Sequence, residues 1–188
     1  MRIISGTARG TKLYTLDNIN TRPTLDRVKE SIFNILQQDI KDSIFLDLFS
    51  GSGAIGLEAA SRGSKKSLLC DNSKDATDII KKNISKTHLE DKICLYNLDF
   101  EKALYKIKQD YKVLDIVYLD PPYKSDYAIK ALELMIKLDL ITNNTNIIIE
   151  TDEEEKIIAR LEQNSLKIKN RKKYGRDIIL FLEYKKNI

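Results

Sequence analysis

The chain of 188 residues holds two cysteines and one histidine, and each scarcity removes a class of chemistry. Cys70 and Cys94 both fall in apolar, strand-like segments. A disulfide framework is therefore not expected, and the two thiols read as buried and reduced. With His88 as the single histidine, Ser-His-Asp hydrolysis and a histidine-rich metal site are disfavoured. No run approaches the roughly 18 apolar residues of a membrane-spanning helix. The opening Met1-Arg-Ile-Ile-Ser-Gly lacks the apolar stretch of a secretory signal. A cytoplasmic protein with neither metal nor membrane attachment is expected. Repeats, linkers and low-complexity blocks are missing too, and the length suits one domain. A domain of this size buries roughly 70% of its unfolded surface and needs no staples.

What is present is unevenly distributed charge. The net charge of +4 says little by itself. Residues 1–30 carry six Lys/Arg against three Asp/Glu, and residues 163–188 carry eight against two. The stretch 31–162 carries eighteen against twenty-three, a net of −5. Positive charge concentrated at both ends is the footprint expected of a protein that meets phosphate backbones. Lysines that only solvate a surface are the plainer alternative.

Hydrophobic spacing gives the organisation. Residues 1–22 alternate briefly and are broken by Gly6, Gly10 and Asp17-Asn18, which reads as a small hairpin or arm. Pro23 and Thr24 then open a helix, with Thr24 as its candidate cap. Its apolar positions are Leu25, Val28, Ile32, Phe33, Ile35 and Leu36. From Ile44 onward strands and helices alternate. Strands are expected at 44–48, 67–70, 93–96, 115–119 and 146–149, and helices at 54–62, 74–86, 101–109, 127–138 and 153–162. The strands are apolar on both faces, as a covered parallel sheet requires. The alternation predicts a doubly wound α/β sheet. The segments 166–173 and 178–184, split by Tyr174-Gly175-Arg176-Asp177, read as a closing antiparallel pair.

Two short motifs carry the chemistry. The first is Asp47-Leu-Phe-Ser-Gly51-Ser-Gly53-Ala-Ile-Gly56, at the junction of a strand and a helix. Glycines there permit a tight turn and close approach of a ligand. Nicotinamide enzymes share that spacing, so the surrounding acids matter. Asp47 could meet a cationic amine, Asp71 could accept from ribose hydroxyls, and Asp99-Phe100 could hold an adenine. S-adenosylmethionine offers all three groups, and no Walker lysine is present. The competing reading is that these acids only cap helices at strand exits.

The second motif is Asp120-Pro121-Pro122-Tyr123, after the fourth expected strand. An exocyclic amine on a base is a poor nucleophile because its lone pair is delocalised into the ring. The Asp120 carboxylate and the Pro121 carbonyl could accept its two hydrogens and aim the lone pair at a methyl carbon. The prolines hold φ near about −65° and keep that carbonyl aimed. Tyr123 offers a ring for the extruded base. A plain Pro-Pro turn is the alternative.

With these residues in view, the chain resembles the RsmD family, bacterial methyltransferases that act on guanine N2 in small-subunit ribosomal RNA. Met1-Arg-Ile-Ile-Ser-Gly-Thr-Ala-Arg-Gly10 is similar to the family's N-terminal arm. Thr21-Arg22-Pro23-Thr24-Leu-Asp26-Arg27-Val28 is similar to its opening helix, and both motifs above match its cofactor and catalytic segments. The resemblance implies a class I S-adenosylmethionine-dependent methyltransferase fold: a Rossmann-like α/β domain over 23–188, with a mostly parallel seven-stranded sheet, an antiparallel last strand and a small N-terminal extension over 1–22. It implies catalysis by Asp120, Pro121, Pro122 and Tyr123, and a cofactor site of Asp47, Phe49, Gly51, Gly53, Asp71, Asn72, Asp99 and Phe100. It implies RNA contact through Arg9, Arg22, Arg27, Arg171, Lys172 and Lys173. Arg22 and Arg27 would flank the pocket, since arginine at a helix N-terminus opposes the helix dipole and calls for some other benefit. The expected partner is 16S rRNA within a small-subunit assembly particle, met by a monomer. Two departures stand out: the family's Tyr-Gly-Asp-Thr-like turn is here Tyr174-Gly175-Arg176-Asp177, and Ser50 occupies a position where alanine is frequent. DNA adenine methylation and non-catalytic RNA binding are the rival functions. The first usually needs a target-recognition insertion, for which the chain has no spare segment.

Overall fold

The computed structural model describes residues 1–15, 23–122, 125–161 and 165–185, without the side chains of 23–25. Seven strands form one sheet: β1 (Ile44–Asp47), β2 (Lys66–Cys70), β3 (Ile93–Tyr96), β4 (Ile116–Leu119), β5 (Asn146–Thr151), β6 (Leu166–Tyr174) and β7 (Asp177–Tyr184). Their order is β3-β2-β1-β4-β5-β7-β6. The first five are mutually parallel, and β7 runs antiparallel between β5 and β6. The order reverses between β1 and β4, the place where an open α/β sheet leaves a crevice at its carboxyl edge.

Side chains alternate across the sheet, and both faces are covered. Leu46, Leu68, Val117, Leu119, Ile147 and Ile149 pack under α4 (Phe100–Asp110), α5 (Tyr127–Lys137) and α6 (Glu154–Leu161). On the other face Phe45, Ile116, Tyr118, Ile148 and Ile179 lie under α1 (Pro23–Ile35), while Leu69 meets α2 (Ala54–Ser61) and α3 (Lys74–Thr87). Two-sided burial explains why these strands read as continuous apolar runs. Strand β6 is the exception. It is an edge strand whose residues Lys167–Lys173 are all exposed, and its lysines deter pairing with another chain. Among the described residues no helix is long and apolar enough to cross a membrane.

Two expectations for α1 need correction. The helix begins at Pro23, so Thr24 lies inside its first turn and does not cap it. A proline suits that first position, where its missing N–H would have had no partner. Ile35, expected on the buried stripe, is 40% exposed. Lys29 is buried in that stripe instead, with 1% exposure.

The reason for burying Lys29 is the N-terminal segment. An antiparallel bridge joins Arg2 to Lys12, and the resulting small hairpin buries Ile3, Ala8 and Leu13. Its backbone is fastened to α2. The fully buried Glu58 carboxylate accepts from the amides of Ile4 (2.8 Å) and Ser5 (3.0 Å). It also pairs with Lys29 Nζ (3.1 Å) and Arg62 Nε (2.7 Å). Lys29 Nζ donates to the Arg2 carbonyl at 2.5 Å, and Ser61 Oγ donates to the Ser5 carbonyl at 2.6 Å. Burial pulls the Lys29 ammonium below its ordinary range, and Glu58 opposes that shift. Gly6 is required here: its φ is +85°, and a Cβ would sit 1.9 Å from the Ser61 carbonyl oxygen.

Candidate active site

Each parallel strand delivers an acid at its carboxyl end. Asp47 closes β1, Asp71 and Asp99 follow β2 and β3, Asp120 follows β4, and Glu150 is the penultimate residue of β5. Because the strands point one way, the topology gathers all five on one rim.

The glycine loop is organised by two of them. The Gly56 amide donates to Asp47 Oδ2 at 3.0 Å, and the Gly51 amide donates to Asp71 Oδ2 at 2.9 Å. Asp71 also accepts from the Ser73 amide at 2.9 Å, and the neighbouring Asn72 is exposed. Ser50 ties the strands together: its hydroxyl donates to the Asp47 carbonyl and accepts from the Cys70 amide. Gly53 caps α2 with φ of 78°, and a Cβ there would come within 2.9 Å of Leu69. The structure places Asp47 beneath the loop, 1% exposed. Burial pushes its carboxyl up to about 7; Asp71 adds to the shift, while the Gly56 amide and Ser50 hydroxyl oppose it. Asp99 is placed differently. It is half-buried, caps α4 through the Lys102 amide (3.0 Å), and pairs with Lys102 Nζ (3.0 Å). Bonds from Lys102 hold its carboxyl below the usual range.

Phe49 and Phe100 do come together, with ring centroids 5.9 Å apart. A third ring, Tyr127, completes the group at 6.3 Å from Phe49 and 5.2 Å from Phe100. Tyr127 was not anticipated as a site residue. Its signal was an aromatic at the first position of the helix following the Asp-Pro-Pro-Tyr turn.

Beyond Asp120 lies a cleft between the Pro121-Pro122 turn, the start of α5, α6 and the end of β5. Asp120, Glu150 and Asp177 all line it. Asp120 opens to solvent on one side and is crowded by protein on the others. That crowding pushes its carboxyl well above the usual range, and the nearby Glu150, Asp47 and Asp177 add to the effect. Glu150 is raised by burial and by Asp177, against a hydrogen bond from the Tyr118 hydroxyl. Among the described residues no ion pair involves Asp47, Asp71, Asp120 or Glu150. Tyr123 lies outside the described residues, as does Arg22.

The other basic candidates are spread out. Arg9 is exposed on the arm, Arg27 on α1, and Lys172 and Lys173 on β6. Arg171 is tied to Glu154 by two bonds, one of 2.6 Å from Nη2. Its hairpin also meets α1, because the Tyr174 hydroxyl donates to Ser31 Oγ.

The sheet order, the helices on both faces and the glycine loop at the switch point define a class I methyltransferase fold. Solved structures agree. The yhhF protein of Escherichia coli is 26% identical, covers 99% of both chains and superposes with a TM-score of 0.81. A protein from Haemophilus influenzae is 31% identical over 97% of both chains, with a TM-score of 0.76. The chain belongs to the RsmD family: residues 1–183 match the family model described as conserved hypothetical protein 95. Among curated relatives, the ribosomal RNA small subunit methyltransferase D of Haemophilus influenzae is 36% identical over 163 residues, covering 85% of this chain and 82% of its own. The protein of that name from Escherichia coli K12 is 31% identical over 154 residues, covering 82% and 76%.

Proposed function

We propose that this methyltransferase transfers the methyl group of S-adenosylmethionine to the exocyclic N2 amine of a guanine in 16S ribosomal RNA. The observation that carries the reading is the placement of Asp120 and Pro121 at the end of β4, one strand from the glycine loop at the end of β1. The names of the relatives supply the RNA class.

The residues fit the cofactor. Asp47 is a buried carboxylate with no ion pair among the described residues, which suits a cationic amine arriving at the loop. Asp71 would accept from the ribose hydroxyls, and the grouped rings of Phe49, Phe100 and Tyr127 would offer an apolar wall to the adenine. When bound, the cofactor supplies an electrophilic methyl group on a sulfonium.

The protein's part is orientation and proton acceptance. Asp120 and the Pro121 carbonyl accept the two amine hydrogens, which turns the nitrogen lone pair toward the methyl carbon. As the amine takes up the methyl group that the cofactor would release, the nitrogen would become cationic and the Asp120 charge would stabilise it. An interaction that strengthens in the transition state raises turnover. The nitrogen then releases a proton to Asp120, whose raised pKa suits it to receive one. RNA reaches the cleft along the exposed lysines of β6 and the arginines of the arm and α1, with Arg22 and Tyr123 proposed from sequence.

The test is incubation of the purified protein with labelled S-adenosylmethionine and either naked 16S rRNA or small-subunit particles, then mass spectrometry of the nucleosides. N2-methylguanosine is expected, with the particle as the better substrate. N6-methyladenosine, or no transfer to either substrate, would overturn the reading.

A further inference from the structure

The cleft beyond Asp120 is unusual for a protein that meets a polyanion. Six of its lining residues are acids, Asp120, Glu150 and Asp177 among them, against two cations, Lys156 and Arg160, and apolar Ala128, Ile129 and Ile157 line it too. A phosphate would be repelled there. Among the described residues, no group of three acids stands close enough to hold a metal ion. What suits the cleft is a flat heterocycle whose edge presents hydrogen-bond donors.

Strand register places the acceptors side by side. Tyr118 pairs with Ile148 and Leu119 with Ile149, so Asp120, one residue past β4, comes level with Glu150 of β5. They share a face, since Tyr118 and Ile148 both pack under α1. Glu150 is held in place: its Oε2 accepts from the Tyr118 hydroxyl. Burial and the nearby acids push that phenol well above its ordinary range, so it stays a donor.

Guanine presents two donors in sequence on its Watson–Crick edge, the N2 amine and the ring N1–H. Adenine presents an amine beside a bare ring nitrogen. Adjacent acceptors match the first pattern and oppose the second, and an extruded base is read along that edge.

We propose that Glu150 is the specificity-determining residue of this pocket, accepting the guanine N1–H while Asp120 accepts from the N2 amine beside it. The proposal rests on the guanine-N2 reading above. It adds a selection step that the Asp-Pro-Pro-Tyr turn cannot supply, because that turn grips the amine and is blind to the neighbouring ring atom. A site built around a hydrogen bond rejects an analogue that lacks the donor, because the pocket group is left facing a lone pair.

The experiment uses rRNA in which the target guanine is replaced by 2-aminopurine through ligation, free or reconstituted into particles. This base keeps the N2 amine but has a bare N1. The wild-type protein should methylate guanine and discriminate against 2-aminopurine by on the order of 10²-fold or more in kcat/KM. Glu150→Gln nearly preserves shape. With the amide oxygen held by Tyr118, its NH2 faces the cleft and can donate to a bare N1. The ratio of 2-aminopurine to guanine should therefore rise by about 10-fold or more, a shift of one decade in discrimination. Glu150→Ala should lose guanine activity without gaining on 2-aminopurine. Calorimetry with S-adenosylhomocysteine checks that each variant is folded, and both should bind it as the wild type does. A wild-type protein that methylates guanine while Glu150→Gln leaves the ratio unchanged overturns this inference alone. A wild-type protein that leaves guanine unmodified overturns the parent reading, and this one with it.

Discussion

Two regions of the molecule gather carboxylates and treat them in opposite ways. Under the N-terminal hairpin, Glu58 is saturated by two backbone amides, a buried lysine and an arginine. At the strand ends, Asp47, Asp120 and Glu150 have neutral donors or one another for company, and all three are pushed upward in pKa. The first arrangement fastens structure. The second disfavours the ionised carboxylates, and a ligand that brings donors or positive charge would relieve it. Natural sites commonly give up stability in this way.

If that contrast is right, substitutions in the two regions should move stability in opposite directions. The largest effect is expected under the arm. Glu58→Ala leaves Lys29 buried without its partner and strands the Ile4 and Ser5 amides. Breaking a buried pair from one side costs about 3–5 kcal/mol. Urea unfolding should show that loss, and hydrogen exchange should speed up at Ile4 and Ser5. A loss below about 1 kcal/mol, the scale of a surface pair, would mean that the arm is held by its apolar contacts alone.

In the cleft the sign reverses. Asp120→Asn should raise the melting temperature at pH 8 while lowering methyl transfer by about 10²-fold or more, the usual effect of removing one charge-stabilising contact. Affinity for S-adenosylhomocysteine should stay within a few fold, because the lost contact belongs to the reacting amine. Near-normal turnover would remove Asp120 from the mechanism.

Asp47 sharpens the contrast through pH. Its folded pKa of about 7 lies above its ordinary value of 3.8. Its contribution to stability is therefore fully present below that ordinary value and is lost as pH rises through about 7. The free protein should melt at a higher temperature at pH 5.5 than at pH 8, and Asp120 and Glu150 act in the same direction. Cofactor affinity should run the other way, weakening below about pH 7 as the carboxylate that meets the amine is protonated. Asp47→Asn should flatten both slopes; an unchanged affinity slope would argue that the amine is held elsewhere.

Much of this was legible from the chain. The alternation of periods marked the strands to within a few residues, because two-sided burial leaves little choice of composition. The glycine loop and the Asp120-Pro-Pro turn fall at the ends of β1 and β4, where the sequence placed them, because each is a run of adjacent residues. What escaped notice depends on distant partners. Glu58 was visible on its helix, but Lys29 became meaningful only once α1, α2 and the arm met. A lysine inside an apolar helical stripe was the available hint. Glu150 follows three isoleucines and looks like an ordinary strand exit. Only the pairing of β4 with β5 puts it beside Asp120. Thr24 was read as a cap from residue preference, whereas Pro23 already fits the first helical position.

The smallest expected effects lie on the basic edge. Lys172→Ala and Lys173→Ala should each flatten the salt dependence of RNA affinity by about 0.7–0.9 in the logarithmic slope. Arg171→Ala should flatten it less, because Glu154 already occupies that guanidinium. Glu154→Ala should then steepen the slope by freeing it. Filter binding across a salt series for the four variants would decide the matter, and four unchanged slopes would move the RNA surface elsewhere.

The position of β7 has a further consequence for assembly. It lies between β5 and β6, although it follows both in the chain. The hairpin of β6 and β7 must therefore dock as a unit, closing β5 on its open side and bringing Asp177 to the cleft. Synthesis from the N-terminus completes the glycine loop and the Asp-Pro-Pro turn well before that wall exists. A nascent chain stopped before Asp177 would carry the glycine loop beside an unpaired β5 edge, the kind of edge that recruits foreign strands. Strand β7 thus both brings Asp177 to the cleft and covers an edge of β5 that would otherwise stand open.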